Sequence, residues 1–352
     1  MYAVATTYRG GVWWSSVLIA TLIVVIAASP VAGQSIPVGA GRTHDPHGSA
    51  SLVDGQASLD RLEVSVSAIV TPRIGDALRV WLLSDDGTAA RYLGDLVLRA
   101  DGTANFAWDQ PAGENLIAQY SQVVITRETG DAGVKPGSTV LRAGRLDVAS
   151  LAQVRRLLSR WPGSRYGVAT VPGLRQQALI ARHQAWVLRE AAITGDWDTV
   201  RRTAEQLVNL VEGRQGFLYA DHNGDGRAED PGDGTGFLPY CWGALSQTQF
   251  VYETAKDDAI AEDARLIQLP VTFAMLSAAF VRDTGREVAL GASPPRTREL
   301  ADHVVNATGY MVAAVDPMGN PDLESILAGR SLTSIVDLSR ALATVRFDEV
   351  LR

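Results

Sequence analysis

The chain has 352 residues, 46% apolar and 20% charged, and carries a formal charge of −7 at pH 7. That length is enough for two domains with real cores, and the composition is that of a globular protein. The negative balance argues against a nucleic-acid partner, and Cys241, the sole cysteine, excludes an intrachain disulfide.

The N-terminus reads as an export signal. Arg9 is the only charge in the first 33 residues, and an apolar run fills 12–28. Ser29-Pro30 and Val31-Ala32-Gly33 follow, small residues suited to cleavage before Gln34. An uncleaved run would act instead as an anchor, giving membrane association through residues 12–28, and Arg9 places the rest of the chain outside in either case. The expected location is therefore extracytoplasmic: secreted, periplasmic or cell-surface. Residues 34–58 are rich in Gly, Ser and Pro, hold His44 and His47, and read as a flexible linker.

From 59 to 148 the apolar period is two. LEVSVSAIV (62–70), ALRVWLLS (77–84), ARYLGDLVLRA (90–100), TANFAW (103–108), SQVVITRE (121–128) and STVLRAGRL (138–146) are separated by turns. Asp86-Gly87 and Asp101-Gly102 are read as hairpin turns. This spacing predicts an antiparallel β-sandwich. Trp81, Leu93-Gly94, Asp101-Gly102 and Val124-Ile125-Thr126-Arg127-Glu128 give this stretch a pattern that resembles the extracytoplasmic C-terminal domain of anti-sigma-K factors. The resemblance covers about a quarter of the chain and implies a shared fold. It leaves open an extracytoplasmic sensor-like module. Only about eleven residues precede the apolar run, so sigma-factor control is not expected to carry over.

From 149 to 352 the period lengthens to that of helices. Segments 150–161, 173–195, 196–213, 240–256, 258–285, 296–316 and 332–347 carry i, i+3/i+4 apolar spacing and predict a helical bundle. Ser150 and Asp196 are candidate N-caps, and Pro270 is expected to kink or interrupt its helix.

Between two of these helices lies DHNGDGRAEDPGD (221–233). Asp221, Asn223 and Asp225 at alternate positions, followed by Gly226, match the first half of an EF-hand-like calcium loop. Arg227 would contribute its carbonyl, and Glu229 the position often reached through water. Where an EF-hand closes with Glu at position 12, Gly232 stands here, so the closing carboxylate would be Asp230 or Asp233. The competing reading is a polar turn that binds nothing. AEQLVN (204–209) before the loop recurs as ADHVVN (301–306). After the second copy, 315–325 (Asp316, Asn320, Asp322, Glu324) reads as a degenerate second loop. The arrangement also resembles exported bacterial proteins in which a similar sandwich precedes a helical domain with DLDGDG…NPGDG-type, EF-hand or dockerin-like loops. Asp221, Asp225-Gly226 and Pro231-Gly232-Asp233-Gly234 carry that match. The histidine pair frequent in that group is replaced here at positions that include Thr203 and Gln206.

Other chemistry is sparse. His183, His303 and Cys241 would form a redox metal or haem site only if they converged. Asp257-Asp258, Glu262-Asp263 and Glu253 read more simply as solvated charge than as paired catalytic acids. Phe217, Tyr219, Phe237, Tyr240 and Trp242 bracket the calcium loop, as a small core or a partner rim. Common hydrolase and nucleotide-binding motifs are missing from the sequence. The expectation is an exported, calcium-stabilised, non-enzymatic binding or structural protein of the cell envelope. Its partner would be another envelope protein or surface component.

Overall fold

A computed structural model describes residues 47–313 and 332–349. The apolar run at 12–28 and the second loop at 315–325 lie outside the described residues. Two antiparallel sheets come first. One has the order β5-β2-β1-β8, built from β1 (Gly48–Val53), β2 (Arg61–Val66), β5 (Ala104–Asp109) and β8 (Thr344–Arg346). The other has the order β4-β3-β6-β7-β9, from β3 (Asp76–Leu83), β4 (Ala90–Asp95), β6 (Gln122–Thr129), β7 (Val140–Arg145) and β9 (Asp348–Glu349). Their apolar faces meet: Leu52 and Leu62 of the first sheet and Leu82 and Val123 of the second line one small cavity. The alternation read from the sequence explains why β2 buries Leu62, Val64 and Val66 and exposes Glu63 and Ser65.

Three features of the sheets differ from the sequence reading. β1 lies inside the stretch read as linker. Its GSASLV pattern is short and weakly apolar, but Ala50 and Leu52 are buried once it pairs with β2 and β8. The turn at Asp101-Gly102 does not join neighbouring strands. β4 pairs with β3 and β5 with β2, so the chain crosses between sheets there. Asp86-Gly87 does join a hairpin, β3 to β4. Finally, the segment read as one helix over 332–347 becomes a helix followed by β8, which returns to the first sheet and pairs with β1.

Seven described helices follow the sheets: α1 (Leu151–Leu158), α2 (Thr170–Thr194), α3 (Trp197–Glu212), α4 (Phe237–Thr254), α5 (Asp258–Ala289), α6 (Pro294–Ala313) and α7 (Leu332–Ala341). α2 packs on α3, α4 and α6, and α5 packs on the same three and on α7. One continuous apolar core runs from the sheet interior into these helices. Asp196 caps α3 by accepting from Thr199 N at 3.2 Å. Ser150 does not cap α1 with its side chain; its hydroxyl is held by Asp147 at 2.8 Å. α5 runs through Pro270 without interruption, and two residues on the Thr272 hydroxyl donates to the Gln268 carbonyl. It is long and apolar enough to cross a membrane by length and composition, yet Ile267, Val271, Ala278 and Val281 are buried in the bundle.

Gly173 in the first turns of α2 lets the Tyr240 ring of α4 lie directly on the helix backbone, where an added Cβ would overlap the ring. Tyr240 is fully buried and its hydroxyl is fixed at 2.5 Å from Asp233, so the ring cannot retreat. Helix propensity alone favours Ala over Gly by about 1 kcal/mol. We expect the opposite sign: Gly173→Ala should destabilise the protein by about 1–3 kcal/mol in denaturant titrations. A stabilised variant would show that the Tyr240 contact is not tight.

Candidate functional site

The loop begins where α3 ends and closes before α4. At its base Gly213 and Gly236 pass so closely that a side chain on either would overlap the other strand, and both have positive φ (+73° and +93°). Arg214 N donates to the Gly234 carbonyl at 3.0 Å and completes the closure.

α3 holds the loop from below. Glu205, Asn209 and Glu212 lie four and three residues apart, on one helix face, and are buried. The Glu205 carboxylate accepts three backbone N–H groups: His222 at 2.9 Å and Asn223 at 3.0 Å on Oε2, and Glu229 at 2.9 Å on Oε1. The Asn209 side chain donates to the carbonyls of Ala220 (3.0 Å) and Glu229 (2.9 Å) and accepts from Ala220 N (3.0 Å). Glu212 accepts from Arg282 Nη1 at 2.8 Å. Gln206 donates to the Glu229 carboxylate at 2.7 Å, and His222 Nε2 to the Leu218 carbonyl at 2.7 Å.

Above this clamp the short polar side chains fold the loop onto itself. Asp221 accepts from Gly224 N and Gly226 N, both at 2.7 Å. Asn223 Oδ1 accepts from Asp225 N at 2.8 Å, and Asp225 from Arg227 N at 2.9 Å. Gly226 takes φ +88°, the turn that position 6 requires. Burial pushes the Asp221 carboxyl up, but the N–H groups of Gly226, Gly224 and Asp225 bring it below the usual range.

The second half of the loop is a separate turn. Asp230 accepts from Gly232 N at 2.8 Å. Burial raises its carboxyl pKa against the opposing charges of Arg214 and Arg165. Both Asp233 oxygens are engaged, by Thr235 N at 2.8 Å and the Tyr240 hydroxyl at 2.5 Å. Asp233 is therefore tied to the start of α4. Among the described residues, no three His, Cys, Asp or Glu side chains gather in metal-binding geometry. The seven residues named from sequence form an oxygen-rich loop in two turns rather than one carboxylate cage.

Other candidates fall apart spatially. His183 and His303 are exposed on α2 and α6, while Cys241 is fully buried in the apolar core with its thiol pKa pushed up by burial, so the three do not share a site. Asp257 caps α5 and pairs with Arg346; Glu262 pairs with Arg265. Of the bracketing aromatics, Phe237 and Tyr240 are core, whereas Phe217 is 98% and Trp242 62% exposed.

Sequence reasoning overlooked Glu205, Asn209 and Gln177. The first two carried a signal, since an acid and an Asn occupy equivalent places in both AEQLVN and ADHVVN. In the second copy Asp302 pairs with Arg189 of α2 at 2.6 Å. No family model, curated protein or solved structure matches this chain.

Glu205→Gln should destabilise the protein by about 3 kcal/mol, because an amide group then faces backbone donors in a buried site. Chemical denaturation measures the loss, and limited proteolysis should locate new cleavage between 214 and 234. Unchanged stability would mean that the clamp is not what holds the loop.

Proposed function

We propose that this chain is an exported protein of the cell envelope, stabilised by calcium, with a binding or structural role and no catalytic one. The observation that carries the reading is the 221–227 turn: three short oxygen-bearing side chains at alternate positions, a glycine at positive φ, and a buried carboxylate clamping the backbone beneath. The donors are hard oxygens, the set that calcium prefers. Asp221, Asn223 and Asp225 would hold the ion through lone pairs their N–H partners leave over, with the Arg227 carbonyl and Glu229 beside them.

Export is supported by the apolar run at 12–28 and the small residues after it. The resemblance of the sheet part to an extracytoplasmic domain points to the same side of the membrane. Phe217 and Trp242 offer exposed aromatic surface near the loop for an envelope partner. Extracellular calcium-binding modules have dissociation constants of roughly 0.1–1 mM. In 10 mM calcium the melting temperature should therefore stand about 2–5 °C above that in chelator. Asp225→Asn should remove most of that rise. Identical melting curves in calcium and in chelator would sink the reading.

A further inference from the structure

Gln177 on α2 is 1% exposed, and both its Oε1 and its Nε2 are buried without a hydrogen-bond partner. An amide in that state is rare, because each buried polar atom left unmade costs about 1–3 kcal/mol. Exchanging the oxygen and nitrogen positions does not satisfy both atoms, as it does at Asn105. Its oxygen lies against Gly232: an added Cβ there would overlap Gln177 Oε1 and come within 2.6 Å of Leu210 Cδ1. Gly232 N in turn donates to Asp230 Oδ1, while Asp230 Oδ2 is buried and also without a partner. Gly232 thus has the unpartnered Gln177 oxygen against it, and the carboxylate that accepts its N–H keeps a second oxygen without a partner. Asp233 follows on the same turn, its own oxygens occupied by Thr235 N and Tyr240. The guanidiniums of Arg165 and Arg214 reach Gly234 from exposed positions.

We propose that Gln177 Oε1 and Asp230 Oδ2 are ligands of a divalent cation, calcium by its preference for oxygen, held on the 230–234 turn against α2 and distinct from any ion in the 221–227 turn. An oxygen from outside the loop explains why position 12 is glycine: the space where its side chain would stand holds the Gln177 amide. A carboxylate alone on this turn would be an acidic cluster with no further claim. The buried amide aimed at it from another helix supplies that claim.

The test is calorimetric titration of the full chain with calcium chloride, with melting curves in calcium and in chelator. The wild type should bind two ions. Gln177→Leu, close in volume and facing Leu210, should bind one, should melt higher than wild type in chelator because the unpartnered amide is gone, and should gain less from calcium. Asp230→Asn keeps the side-chain shape and should also lose one ion. Asp225→Asn should lose the other. If Gln177→Leu and Asp230→Asn keep the wild-type stoichiometry while Asp225→Asn loses an ion, this proposal is overturned and the loop reading survives. Loss in Gln177→Leu with none in Asp225→Asn supports this site and removes the other. A wild type that binds no calcium overturns both.

Discussion

Everything about the 213–236 loop depends on one buried carboxylate. Glu205 reaches up from α3 and takes three backbone N–H groups from two separate parts of the loop. Irregular backbone that folds over a helix must find partners for its donors, and an anion supplies stronger acceptors than a neutral group. The N–H groups in turn replace the water that Glu205 loses, so the charge is tolerated at no exposure at all. Asp60 uses the same device in the sheets, accepting from Gly55, Gln56 and Ala57 at 2.6–3.1 Å. Burial raises its carboxyl, and the N–H groups more than offset that.

The two halves of the chain are bound together by its last strands. β8 pairs with β1 and β9 with β7, so the segment after the helices closes the edge of both sheets. Arg340 of α7 pairs with Asp54 at 2.6 Å, just beyond β1, and Arg346 of β8 with Asp257 at the start of α5. These partly exposed pairs add little stability individually. The shared apolar core is what makes the sheets and helices interdependent.

A loop held this firmly suits a geometric role better than a responsive one. Its backbone is clamped by α3, closed at the Gly213–Gly236 crossing, and tied to α4 through Asp233 and Tyr240. Under the calcium reading, an ion would add to an arrangement already organised by protein groups. Where calcium is abundant and steady outside the cell, such an ion fixes shape more than it signals.

Periodicity in the sequence was enough to place β2 to β7 and the register of most helices, because alternation and three-to-four spacing are local properties of the chain. It was enough also to single out Gly226 and, before it, Asp221, Asn223 and Asp225, whose side chains act on backbone within five residues. Partners distant in sequence were not legible. β1 and β8 are short and weakly patterned: β8 becomes a strand by pairing with β1, almost 300 residues away, and β1 by pairing with β8 and with β2. Glu205 read as one more charged helical residue, and Gln177 as a polar position on a long helix. Only the packing of α2 and α3 against the loop buries them, and burial is what turns an ordinary acid and amide into the groups on which the loop rests.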